Sequence, residues 1–389
     1  MRNESCDIFC NVIDNYGDIG VCWRLARQLA NEHGITVRLW VDDLASFARL
    51  CPEADAATGR QKCRGVEVCH WSDPFPEVQP AELVIEAFAC KLPESYLAAM
   101  VGKARKPTWV NLDYLSAEDW VESHHKLPSP HPNLPLTKYF FFPGFTRQTG
   151  GLLLERDLLE HRDAFQRDTV RQQAFWHSFG MEIPGAGTLK VSLFAYENAA
   201  LAGIFDVWAS GDQTVLCLVP EGRILPQVGQ YFGDVVPCAG KTYSRGSLEV
   251  SVLPFIEQER YDELLWICDV NFVRGEDSWV RAQWAGKPFI WQIYPQHDAA
   301  HLKKLQAFLT LYCDQLGDHA SQAIHGLWRS WNIESGAGQA WPAFMAARSE
   351  LERHTQNWAR HLSQNNLALN LLDFHKEIGR MRAFEIEGQ

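Results

Sequence analysis

The chain has 389 residues, 46% hydrophobic and 22% charged, and carries a formal net charge of −12. That length predicts two domains rather than one core. The acidic balance, with no basic stripe, excludes a protein that wraps a nucleic-acid backbone, and no apolar run reaches membrane-spanning length. The opening residues lack the layout of a signal peptide, so a cytoplasmic protein is expected. Eleven cysteines with no Cys-x-x-Cys spacing read as buried thiols in a reducing compartment.

In chain order, Cys6 to Ile13 is a short apolar run, followed by the turn Asp14-Asn15-Tyr16-Gly17-Asp18-Ile19-Gly20 and a helical pattern from Val21 to His33 that stops at Gly34. Strands at 35–41, 66–70, 83–88 and 108–112 alternate with helices at 44–50 and 94–101. Continuous apolar strands between helices imply a parallel sheet covered on both faces. Prolines and histidines break every period from Leu127 to Pro135, and a long charged helix is expected over 152–179. A second alternating series follows: strands at 190–196, 214–219, 248–253, 270–274 and 288–293, with helices at 199–209, 261–268 and 278–285. Helices alone fill the rest of the chain. The predicted fold is α/β, two Rossmann-like doubly wound domains with a helical tail, and its ligands are expected at the carboxyl ends of the strands. The expected boundaries are 1–150 for the first domain, with a final helix at 362–389 packing back on it, and 151–361 for the second.

The most informative stretch is Val270-Asn271-Phe272-Val273-Arg274-Gly275-Glu276-Asp277-Ser278. It reads as a buried strand, a tight turn and a helix start capped by Asp277 or Ser278. A helix start presents N–H groups and a positive dipole end to an anion, and Arg274 adds a cation, so the stretch suits a nucleotide diphosphate. Glu276 suits ribose hydroxyls. Phe194 and Tyr196 alternate on a strand and can flank a flat base. Phe255, Gln258 and Tyr294 follow other strands of the same domain. Each of these also fits an ordinary core or surface position.

The first loop lacks the Gly-x-Gly-x-x-Gly spacing, and two carboxylates repel a pyrophosphate, so Asp14 and Asp18 suit holding a cation or taking a proton instead. A cap role for both stays open. His297 and His301 have the i, i+4 spacing of a zinc helix, but without the usual glutamate or a third ligand the expectation there is a helix start with surface histidines.

The run Cys10 to Arg27, together with Phe272 to Ser278, Ala285-Gly286-Lys287-Pro288 and Trp291 to Gln296, resembles the bacterial protein-arginine rhamnosyltransferases that modify elongation factor P. The resemblance spans essentially the whole chain and implies a GT-B glycosyltransferase. Its implied donor is dTDP-β-L-rhamnose and its implied acceptor one arginine of elongation factor P, with inversion to an α-linked rhamnosyl-arginine. Phe194, Tyr196, Phe255, Gln258 and Tyr294 match family positions around the nucleotide. Arg274, Glu276, Asp277 and Ser278 match those around ribose and diphosphate, and Asp14 and Asp18 match the acidic active-site positions, with Asn15, Tyr16, Gly17 and Gly20 beside them near the acceptor and sugar. Asp18 is assigned as the base and Asp14 as the orienting partner, the reverse order staying open. With Arg274 and the helix start stabilising the leaving group, no metal or other cofactor is expected. A transferase for another sugar or small acceptor, an epimerase of the same fold and a non-catalytic nucleotide-sugar-binding module remain as alternatives.

Overall fold

The computed structural model describes residues 4–13, 16–233, 235–296 and 300–387. The chain divides into two compact units: the first runs to Arg156 and resumes at Leu362, and the second is Asp157–His361.

The first unit holds strands β1 (Ser5–Cys10), β2 (Thr36–Val41), β3 (Arg60–Cys63), β4 (Val66–His70), β5 (Leu83–Ala87), β6 (Thr108–Leu112), β7 (Pro128–Pro130) and β8 (Thr137–Phe141). They form one sheet in the order β3-β4-β2-β1-β5-β6-β8-β7. All pairings are parallel except those of the edge strands β3 and β7, which run antiparallel to their neighbours. The second unit holds β9 (Leu189–Leu193), β10 (Val215–Pro220), β11 (Thr242–Arg245), β12 (Leu248–Leu253), β13 (Val270–Arg274) and β14 (Phe289–Gln292). Their order is β11-β12-β10-β9-β13-β14, with β11 as the antiparallel edge. Strands β5, β6, β10, β13 and β14 are buried at every residue, as expected of strands with helices on both faces.

In each sheet the strand order reverses once, between β1 and β5 and between β9 and β13. Such a switch parts the connecting loops at the carboxyl ends of two neighbouring strands and opens a crevice there. The loop before Asp18 leaves β1, Phe194 follows β9, and Arg274 ends β13, so the topology brings the residues singled out in the sequence to the two switch points.

The expected helix over 152–179 is two helices, Leu158–Arg167 and Thr169–Ser178. Asp168 breaks it in an extended conformation, its carboxylate accepting from the N–H groups of Val170 and Arg171. This is the competition between an aspartate side chain and the helix ladder that favours caps over helix interiors. The edge strands β3, β7 and β11 were not legible, because they are short and largely exposed and show no apolar run.

The C-terminal helix Leu367–Glu387 belongs to the first unit, where His375 Nδ1 lies 2.8 Å from Thr108 Oγ1 and Arg382 donates to the Lys106 carbonyl at 2.7 Å. The chain enters it past Gly151, which has a φ of +79° and where a Cβ would come within 2.3 Å of the Asn365 carbonyl oxygen, leaving no room for a side chain.

Both cores bury a carboxylate against an arginine. Asp7 on β1 accepts two bonds from Arg38 at 2.6 Å, one from the Ala81 N–H at 2.9 Å, and one from the Tyr96 hydroxyl. In the second unit Arg281 grips Asp262 through two bonds of 2.8 and 2.7 Å, with side chains 1% and 4% exposed. Removing one partner of such a pair strands the other charge, so Arg281→Met is expected to cost about 3–5 kcal/mol. Urea unfolding checks this, and a loss below about 1 kcal/mol would contradict it.

Candidate functional site

The site in the second unit is built from the β13 turn. Arg274 closes the strand, Gly275 turns the chain at φ +60°, and the helix Asp277–Ala285 begins two residues later. The N-cap is Glu276, with no capping bond from its side chain, rather than Asp277 or Ser278 as the sequence suggested. Ser278 does something else: its hydroxyl turns back on the strand, accepting from the Arg274 N–H at 3.0 Å and donating to the Arg274 carbonyl. One hydroxyl thus satisfies both main-chain groups of the residue that ends the strand. The Trp291 indole adds a bond of 2.7 Å to the Gly275 carbonyl, and its ring stacks on Trp279 at 3.6 Å, which stiffens the turn from the opposite side.

The Arg274 side chain is buried, and its guanidinium carbon lies 4.5 Å from the ring centroids of both Phe194 and Tyr196. Two faces of π-electron density attract the guanidinium and fix its plane. Both rings sit just beyond β9. The Phe194 N–H donates to the Phe272 carbonyl at 3.0 Å, and the Tyr196 N–H donates to Gln292 Oε1 at 2.9 Å. Tyr294, 44% exposed, packs edge-on against Tyr196 at 5.5 Å. Gln258, the first residue of the helix Gln258–Ile267, is buried and donates to Asp277 Oδ2 at 3.4 Å. That bond places it against the helix start. Phe255 is half-buried in the segment leading to that helix, and Glu276 is half-buried at the cap. Of the residues singled out, Phe194, Tyr196, Tyr294, Arg274, Ser278, Asp277 and Gln258 therefore join through direct contacts.

The sequence reading missed three neighbours. Tyr261 lies edge-on to Phe194 at 5.5 Å, and burial pushes its phenol far above the ordinary range. Gln292 positions Tyr196. Arg223 lies 5.5 Å over the Tyr196 ring and pairs with Glu197 at 2.9 Å. Gln292 lies within the quoted run Trp291 to Gln296 and Glu197 directly follows Tyr196, a usable signal. Arg223, 27 residues after Tyr196, carried none in the local pattern.

In the first unit Asp18 is buried in the first turn of the helix Gly17–His33. It does not cap that helix: the N-cap is Tyr16, whose carbonyl accepts from the Gly20 N–H at 2.9 Å. Asp18 Oδ2 instead accepts the Ile13 N–H at 3.0 Å, while Asp42 Oδ1, which sequence reasoning passed over, accepts the Val12 N–H at 2.9 Å. Two carboxylates thus hold the backbone that leaves β1. Asp14 and Asn15 lie outside the described residues, as do His297 and Asp298 of the histidine pair. His301 Nδ1 accepts the Gln296 N–H at 3.1 Å, which commits that nitrogen to the loop.

A desolvated guanidinium beside a helix start is a seat for a multiply charged anion, and the exposed face of Tyr294 can pack a flat group. The family model for the Elongation-Factor P (EF-P) rhamnosyltransferase EarP matches residues 6–376. The chain belongs to the EarP family. A protein-arginine rhamnosyltransferase of Pseudomonas putida is 52% identical over 372 residues, covering 95% of this chain and 98% of that protein. One from Shewanella oneidensis is 42% identical over 393 residues, covering 95% and 97%. A solved structure giving the structural basis for EarP-mediated arginine glycosylation of translation elongation factor EF-P is 39% identical, covers 96% of this chain and 99% of its own, and superposes with a TM-score of 0.69. A glycosyltransferase from Rickettsia africae shares the fold alone, at 9% identity and a TM-score of 0.52 over 97% and 99% of the two chains. The protein is thus a protein-arginine rhamnosyltransferase with a glycosyltransferase fold of the GT-B class, and among the described residues no helix is long and apolar enough to cross a membrane.

Proposed function

We propose that this EarP-family enzyme transfers L-rhamnose from dTDP-β-L-rhamnose to one arginine of elongation factor P, with inversion to the α-linked product. The observation that carries the reading is the Arg274 guanidinium held between Phe194 and Tyr196 at the start of the helix Asp277–Ala285. There the diphosphate of the donor meets a fixed cation and a positive helix end, and its charge grows as the bond to the sugar breaks. Phe255 and Tyr294 flank the base, and Glu276 accepts ribose hydroxyls. Asp277 and Ser278 hold the helix start, with Gln258 fixing the Asp277 carboxylate.

Arginine is a poor nucleophile, since its lone pairs are delocalised and its ordinary pKa is above ~12. In the proposed step a guanidino nitrogen attacks the anomeric carbon opposite the diphosphate. The carbon–oxygen bond to the diphosphate breaks with its electron pair, and the nitrogen loses a proton to Asp18. Asp14 orients the guanidinium through hydrogen bonds, and Asn15, Tyr16, Gly17 and Gly20 shape the loop around the sugar and acceptor. Support for this half comes from the burial of Asp18 in the first turn of the helix that follows β1, at a topological switch point.

Intact-mass analysis of unmodified elongation factor P incubated with this protein and dTDP-β-L-rhamnose tests the proposal. A gain of one deoxyhexose, abolished when the acceptor arginine becomes lysine, is expected. No gain with the donor still bound would redirect the reading to another acceptor or to a binding module. Leaving-group stabilisation by Arg274 and backbone N–H groups leaves no step that needs a divalent cation, so turnover in excess EDTA is expected to equal that without it. A loss restored by added Mg²⁺ would refute metal independence.

A further inference from the structure

The first unit has a cavity of about 1240 Å³ at the amino ends of its central strands, opposite the carboxyl end from which the chain runs to Asp18. Glu4, Glu82 and Thr108 in its wall stand at the amino ends of β1, β5 and β6, and the C-terminal helix Leu367–Glu387 forms the opposite side. Seven lysines and arginines line it against four carboxylates, a formal surplus of three positive charges on a chain whose net charge is −12.

Three of the cations are held by backbone carbonyls, and Lys376 pairs with Asp373 at 3.7 Å. Lys103 Nζ donates to the carbonyls of Pro80 and Ala81 at 2.7 and 3.3 Å, and Lys106 Nζ donates to the Lys103 carbonyl at 2.9 Å. Arg382 Nη1 donates to the carbonyls of Lys106 and Pro107 at 2.7 and 3.2 Å. A carbonyl oxygen orients a cation but leaves its charge in place, and burial already pushes the Lys103 ammonium below its ordinary range. Arg105 lies flat on the helix because position 379 is glycine: a Cβ there would come within 2.7 Å of Arg105 Nη2. The array is thus preorganised with a surplus of positive charge, a state that a multivalent anion relaxes.

We propose that this cavity binds a linear polyphosphate group, free or carried by a nucleotide. Its volume exceeds that of one phosphate, and guanidinium forks beside ammonium point charges match phosphate oxygens. Phe374 is the large apolar side chain of the lining, and it is 3% exposed, with the Lys126 ammonium 5.4 Å from its ring. The lining therefore offers no exposed large apolar side chain to seat those of an acidic peptide. This inference does not depend on the reaction proposed above.

The test is calorimetric titration of the full chain with sodium tripolyphosphate, in saturating dTDP so that the second unit does not contribute. Saturable binding of one equivalent is expected, weakened at least tenfold in the Arg105→Glu/Arg380→Glu variant. Both side chains are exposed, so the variant should keep the circular dichroism of the parent. ATP binding within threefold of tripolyphosphate would support a site that reads the phosphate chain whatever its source, and ATP binding tenfold tighter would assign a nucleotide as that source. Absence of binding, binding unchanged in the double variant, or a hexaglutamate peptide binding more tightly than tripolyphosphate would each overturn the proposal.

Discussion

Arg274→Ala is expected to lower kcat/KM by about 10²–10³, the usual range for removing one preorganised donor from a developing anion. The geometry makes the loss hard to recover. Phe194 and Tyr196 hold the guanidinium between two ring faces at 4.5 Å, and a water entering the truncated site brings neither fixed charge nor orientation. Arg274→Lys should rescue little, because an ammonium cannot present a planar fork from between two rings. The decisive measurement separates binding from chemistry. Calorimetry with dTDP reads ground-state affinity, and single-turnover rates read the bond-breaking step. If Arg274 serves the leaving group, the single-turnover rate falls more than the dTDP affinity does. Equal falls in both would make it a plain binding residue, and an unchanged rate would remove it from the site.

Asp18→Asn is expected to reduce kcat by about 10²–10⁴, the range for losing a positioned proton acceptor, with the KM for donor nearly unchanged. Asparagine is the informative replacement. Its amide oxygen can still accept the Ile13 N–H that Asp18 Oδ2 accepts at 3.0 Å, so the loop leaving β1 keeps its tether while the basic group is lost. A purely structural Asp18 would instead show near-normal kcat with a lowered melting temperature. Asp18→Ala supplies the contrast, since it removes both functions and should lose stability as well as turnover. A drop of less than about fivefold in Asp18→Asn would transfer the base role to Asp14 or to a solvent molecule.

Much of the cluster around Arg274 was readable before folding. Phe194, Tyr196, Arg274 and Ser278 stand at or just after the ends of apolar strands, where the period-2 pattern stops and open α/β sheets place their ligands. Their partners were less legible. The cap assignment failed because Asp277 and Ser278 are both good capping residues on local grounds, and only the three-dimensional turn shows Ser278 bonded back to Arg274 instead. The bond from Gln258 to Asp277 joins two segments 19 residues apart, which no local pattern shows. Asp168 split an expected long helix because its carboxylate competes for the N–H groups of Val170 and Arg171.

What the sequence determined by itself is the class of the fold and the identity of the chemical groups. Continuous apolar strands alternating with amphipathic helices have one economical burial, a parallel sheet covered on both faces. Residue types at the strand ends then limit what the site can do. The tertiary structure decided which of those groups meet. The reversals of strand order beside β1 and β9 are set by long-range pairing that no local window contains, and they bring Phe194 and Tyr196 to Arg274 across about 80 residues of chain. The same long-range packing folds the C-terminal helix onto the first unit and gathers Lys103, Lys106 and Arg382, pinned by backbone carbonyls, into one cavity. Local sequence specifies propensities and charges. Which charges share a site depends on the closure of contacts between distant segments, and only the packed sheet fixes those.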